Sequence, residues 1–80
     1  FNPVTTIRFG LPEPRRVSLT IVNMLGQEVA ELLNGWKDLG HHEIRWQSLD
    51  NQGVPVASGV YFAVLRDGTS IDVRKMMLLK

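Results

Sequence analysis

Apolar and polar residues alternate along most of this chain with a period of two. From Arg16 to Val22, the residues Val17, Leu19 and Ile21 alternate with Ser18 and Thr20, so an extended backbone would present one apolar and one polar face. The segment Thr5-Thr6-Ile7-Arg8-Phe9 does the same, with Leu11 prolonging its apolar face. Pro3 and Pro12 bracket that segment, and Pro12-Glu13-Pro14 makes a stiff, extended connection, because proline cannot donate to a ladder. In His41-His42-Glu43-Ile44-Arg45-Trp46 one face holds His42, Ile44 and Trp46, and Trp46 is the strongest core candidate. The stretch Val60-Tyr61-Phe62-Ala63-Val64-Leu65 has no polar face at all, which predicts a central strand covered on both sides, with Val60 and Phe62 in the core. The closing run from Ile71 ends in Met76, Met77, Leu78 and Leu79, apolar on both faces. It is predicted to lie within a sheet, so that trimming it removes core.

Turn chemistry separates these runs. Asn23-Met24-Leu25-Gly26, Asn34-Gly35, Asp50-Asn51-Gln52-Gly53 and Arg66-Asp67-Gly68-Thr69 each combine a short polar side chain with a glycine able to take positive φ. The segment Glu28-Val29-Ala30-Glu31-Leu32-Leu33 is ambiguous, since it follows a turn as a hairpin arm would, yet also places Val29, Leu32 and Leu33 at helical spacing. The whole describes about seven short antiparallel strands in an all-β sandwich of the immunoglobulin or fibronectin type, residues 1–80 forming one domain. The Cys and Trp spacing of antibody domains is absent, so the likeness is architectural.

Composition narrows the classes. With 80 residues and no cysteine, stability must come from apolar packing, which a hydrophobic fraction of 44% supplies. A net charge of +1 argues against a nucleic-acid footprint. No apolar run is long enough to span a bilayer as a helix, and no charged-then-apolar leader opens the chain. Starting at Phe1 without an initiator Met, the residues read as the C-terminal piece of a longer protein.

Candidate chemistry is thin, and no cofactor or metal is expected. His41 and His42 are strand neighbours that point to opposite faces and so do not chelate one ion unaided. Ser58 lacks the glycine two residues before it that a nucleophile elbow requires, and reads as a turn serine. Asp50, Asn51 and Asp67 bring one carboxylate per loop without calcium-loop spacing. Among the aromatics, Trp46 and Tyr61 fall on strands expected to be buried, which leaves Trp36 as a plausible exposed sugar platform.

Four segments carry a resemblance. Pro55-Val56-Ala57-Ser58-Gly59-Val60-Tyr61-Phe62 resembles the P-(V/L)-(A/P)-S-G-(V/I)-Y-(F/Y) signature of the C-terminal sorting domains of the bacterial type IX secretion system, the Por secretion-tail family. Phe1-Asn2-Pro3-Val4-Thr5-Thr6-Ile7-Arg8-Phe9 is similar to its opening F-N-P-x-T-x-I-x-(F/Y), and Arg74-Lys75-Met76-Met77-Leu78-Leu79-Lys80 to its closing basic and apolar run. Val22-Asn23-Met24-Leu25-Gly26-Gln27-Glu28-Val29 resembles its D-x-x-G-(R/K/Q)-x-V turn, with Asn23 where the family more often has Asp. The resemblance spans nearly the whole chain and assigns the ambiguous segment to strand. It implies a sandwich similar to that of flagellar hook-capping proteins and a non-catalytic tail that addresses an upstream N-terminal cargo domain. The cargo would pass through the periplasm of a Gram-negative bacterium, cross the outer membrane through the type IX translocon and reach the cell surface or medium, where a sortase-like surface protease acts on the tail. By matching motifs, recognition falls on Lys75, Met76, Met77, Leu78, Leu79 and Lys80 and on the loop before Gly59, while Gly26, Gly53 and Gly59 set backbone shape. Two further expectations stand beside it: an accessory immunoglobulin-like module of a secreted hydrolase, binding carbohydrate or acting as a spacer, and a structural assembly domain.

Overall fold

A computed structural model describes residues 3–80; the first two residues of the opening motif, Phe1 and Asn2, lie outside the described residues. The alternating segments form β1 (Thr5–Leu11), β2 (Arg15–Asn23), β3 (Glu28–Lys37), β4 (Gly40–Trp46), β5 (Gly59–Arg66) and β6 (Ile71–Leu78). They pair antiparallel in two sheets, β1-β4 and β3-β2-β5-β6. The architecture is therefore an all-β sandwich-like domain with six strands among the described residues, where the sequence predicts about seven. The reason lies between β4 and β5, where Asp50, Gly53 and Pro55 permit only an isolated bridge between Leu49 and Pro55 in place of a ladder.

Burial follows the period of two. Ile7, Phe9 and Leu11 of β1, Val17, Leu19 and Ile21 of β2, and Trp46 of β4 are buried between the sheets, joined by Ala30, Tyr61, Ala63 and Leu78. The Trp46 and Tyr61 rings meet edge to face at 5.4 Å, and each donates its polar hydrogen to a nearby carbonyl, Trp46 Nε1 to Leu49 at 3.0 Å and Tyr61 Oη to Ala57 at 2.6 Å. Burying the rings thus leaves neither polar group unsatisfied.

The strand β5 is central in its sheet, but only one of its faces is covered by the second sheet. Tyr61 and Ala63 point into the core, while on the opposite face Val60 and Phe62 lie half-buried and Val64 is buried outside the two core clusters. The expectation that Val60 and Phe62 are core residues is corrected accordingly. Both faces of this strand are apolar, so its alternation could not decide which one turns inward.

The strand β3 also differs from expectation. It runs through Asn34 and Gly35, whose composition predicts a turn, because Asn34 pairs with Ser18 and Gly35 with Val17 in the ladder to β2. The turn comes later, at Asp38 and Leu39, and ends at Gly40 with φ of 109°. At the preceding hairpin Gly26 takes φ of 79° as read from the sequence, and the Asn23 side-chain carbonyl accepts from the amides of Leu25 and Gln27.

Candidate functional site

The hairpin of β5 and β6 brings together the two sequence segments with the strongest motif content. Register places Gly59 opposite Leu78, Val60 opposite Met77, Tyr61 opposite Met76 and Phe62 opposite Lys75. The loop before Gly59 adds a tie, for Ser58 Oγ accepts a hydrogen bond from the Lys80 amide at 3.1 Å. That loop is held in turn by the Val56 amide donating to the Ser48 carbonyl at 2.9 Å. Ser48 is itself buried at φ of 62° and donates from Oγ to the Pro3 carbonyl at 2.6 Å. The start of the chain, the loop and the chain end are thus linked through a few polar contacts.

Burial divides the six residues Lys75 to Lys80 into two sets. Leu78 is fully buried and Met76 packs against the same core, so these two face inward. Lys75, Met77, Leu79 and Lys80 are exposed, Met77 at 51% and Leu79 at 63%. On the outer face of the hairpin Lys75 and Met77 are neighboured by Val73 and Ile71 of the same strand and by the half-buried Val60 and Phe62. The result is an apolar strip along an edge strand, broken by one ammonium group. Of the three shape glycines, Gly26 and Gly53 both take φ of 79°, and Gly59 begins β5.

The electrostatics of this end are modest. Asp72 pairs with Arg74 at 3.1 Å, and Arg74 Nη1 also donates to the Arg8 carbonyl of β1, which links the two sheets at one side. At the opposite end of the hairpin the Asp67 carboxylate accepts from the amides of Thr69 and Ser70 and from Arg15 Nη1 at 3.1 Å. The amide of Thr69, then the amide and hydroxyl of Ser70, hold Asp67 well below the usual carboxylate range. Arg15, bonded to Glu13 and facing Asp67, is held above its ordinary value.

The remaining sequence candidates lie apart. His41 is exposed and His42 half-buried on the other face, stacked on Phe9 at 5.2 Å. Asp50 spends Oδ1 on the amides of Gln52 and Val54 within its own turn. Asn51 instead reaches β3: its amide donates to the Val29 carbonyl at 3.1 Å, its side-chain oxygen accepts from the Glu31 amide at 2.8 Å, and its side-chain nitrogen donates to Glu28 at 2.9 Å. No group of three or more potential metal ligands occurs among the described residues. Trp36 is 69% exposed, beside a cleft between the β3–β4 turn and the residues before β2.

A scan against protein-family models finds no match, and no curated protein matches the chain.

Two contacts escaped the sequence reading. Ser58 lies in the bend before β5, as a turn serine should, and its hydroxyl also accepts from the amide of Lys80, 22 positions away, which only the adjacency of its motif to the closing run in a hairpin would suggest. The reach of Arg74 to β1 has no sequence signal, because it depends on which edge of one sheet lies over the other.

Proposed function

We propose that this domain is a non-catalytic C-terminal sorting signal of the type IX secretion kind, which directs an upstream cargo domain from the periplasm across the outer membrane. In this reading the outer-membrane translocon recognises the tail and a sortase-like surface protease acts on it afterwards. The observation that carries the reading is the meeting of the Pro55 to Phe62 signature and the closing run in one hairpin, tied by Ser58 to Lys80, with Lys75, Met77, Leu79 and Lys80 left accessible on it. A folded module that presents a rigid strand loses less conformational entropy on recognition than a flexible peptide does. The edge position of β6 also suits a partner that adds a strand, with exposed alternate side chains supplying selectivity.

The test is export of a periplasmic fluorescent reporter fused ahead of residues 1–80 in a host with type IX secretion. Beside it run the variants Lys75→Glu with Lys80→Glu, and Met77→Ser with Leu79→Ser. Each variant changes only exposed side chains, so each should leave the circular dichroism and melting of the domain unchanged. Export of the unaltered fusion and periplasmic retention of the variants is the expected result. Retention of the unaltered fusion, or export that ignores both pairs of substitutions, would overturn the reading.

A further inference from the structure

Exposed positions along β3 are polar, Glu28, Glu31 and Asn34, until Trp36, which is the largest side chain available and is 69% exposed. Solubility and strand pairing ask only for a polar residue there, as at the other three positions. Trp36 also forms one wall of a cleft of about 460 Å³ lined by Pro14, Lys37, Asp38 and His42. Pro14 adds a second rigid apolar surface to that of the indole.

The polar groups of this cleft are partly pre-set. The His42 Nε2–H donates to the Asp38 carbonyl at 2.7 Å, and the ring is stacked on Phe9. In the neutral imidazole that bond leaves Nδ1 as the acceptor. Asp38 adds acceptor oxygens and Lys37 adds ammonium donors, and their opposite charges leave the cleft close to neutral. An aromatic face beside closely placed donors and acceptors matches a pyranose ring, which has a flat face of C–H groups and a rim of hydroxyls that both donate and accept.

We propose that the Trp36 cleft is a saccharide-binding site for neutral, β-linked pyranose chains, whose equatorial linkages keep the C–H faces flat enough to lie on the indole. The site lies away from the exposed end of β6, and its occupation does not depend on the sorting role.

The experiment is titration of the 80-residue protein with cellohexaose, xylohexaose and, as a charged comparison, hexagalacturonate, followed by tryptophan fluorescence and calorimetry. Trp46 is buried, so an emission change on binding comes from Trp36, and in Trp36→Ala the remaining emission reports that the fold is intact. Binding of one neutral hexamer at micromolar to millimolar concentration, weakened about tenfold or more in Trp36→Ala and only a few-fold in Trp36→Phe, is the expected result. Binding unaffected by Trp36→Ala, no binding of either neutral hexamer, or preference for the charged hexamer would overturn it. Export of the reporter fusion is a separate readout, so failure of the sorting reading leaves this result interpretable.

Discussion

Replacing Leu78 by Ala tests whether the closing run is anchored or merely displayed. The side chain is fully buried against the core that contains Leu19, Ile21, Trp46 and Tyr61, on a strand hydrogen-bonded to β5 alone. Removing three carbons from such a position costs about 2–5 kcal/mol, the lost transfer energy plus a cavity. A domain of 80 residues has a total stability of about 4–12 kcal/mol, so the loss is a large share of it. At about 4–8 °C per kcal/mol for a domain of this size, a mid-range loss of about 3.5 kcal/mol lowers the melting temperature by about 14–28 °C. The controls are Met77→Ala and Leu79→Ala, whose exposed side chains predict changes within about 0.5 kcal/mol. Urea melts followed by Trp46 fluorescence give the three values on one scale. Similar stability of Leu78→Ala and Met77→Ala would refute the burial on which the division of the closing run rests. A tail shortened at Arg74 is therefore a poor export control, because the truncation deletes Leu78 and Met76 from the core along with the exposed residues.

Further outcomes follow from other contacts. Because Asp67 is held below its ordinary 3.8, its stabilising contribution is complete above that value and fades as pH falls through it toward the folded value. Melting temperature measured against pH should therefore drop on acidification below about pH 4, and the gap between the protein and Asp67→Asn should narrow over the same range. Asn51→Ala removes two side-chain hydrogen bonds to β3, predicting a loss of about 1–2 kcal/mol and faster hydrogen exchange at the Glu31 amide, whereas unchanged exchange would contradict the contact. Gly26→Ala puts a Cβ on a residue at φ of 79° and should cost about 1–2 kcal/mol in chemical denaturation, although no neighbouring atom stands in the way.

Legibility in the sequence tracked how local each cause was. The inward set of β2 and the Gly26 hairpin follow from alternation and from one glycine with its Asn23 partner, all within a few residues. The strand identity of Glu28 to Leu33 did not follow from its own spacing, since helical and extended readings both fit, and pairing with β2 decides it. Asn34-Gly35 has the composition of a turn, but the ladder to Ser18 and Val17 holds it extended. For β5, two apolar faces left the choice of inward face to the position of the other sheet, which turned Tyr61 and Ala63 inward in place of Val60 and Phe62. At the candidate surface, the motifs marked the six residues of the closing run, but only burial separates Met76 and Leu78 from Lys75, Met77, Leu79 and Lys80. The exposed Trp36 was legible because Trp46 and Tyr61 fall on strands expected to be buried, while its cleft depends on Pro14 and His42 from other parts of the chain.

The contacts of Asn51 bear on assembly. A flat sheet with two free edges is a bifunctional monomer in the polymer chemist's sense, able to add a unit at each side and so to grow without limit. Here the backbone amide and side-chain oxygen of Asn51 occupy the Val29 carbonyl and the Glu31 amide on the outer edge of β3, so that the start of this edge is blocked by the protein's own loop. A strand arriving at β3 therefore cannot pair along its whole length without displacing Asn51, which works against the open-ended growth that leads to fibres.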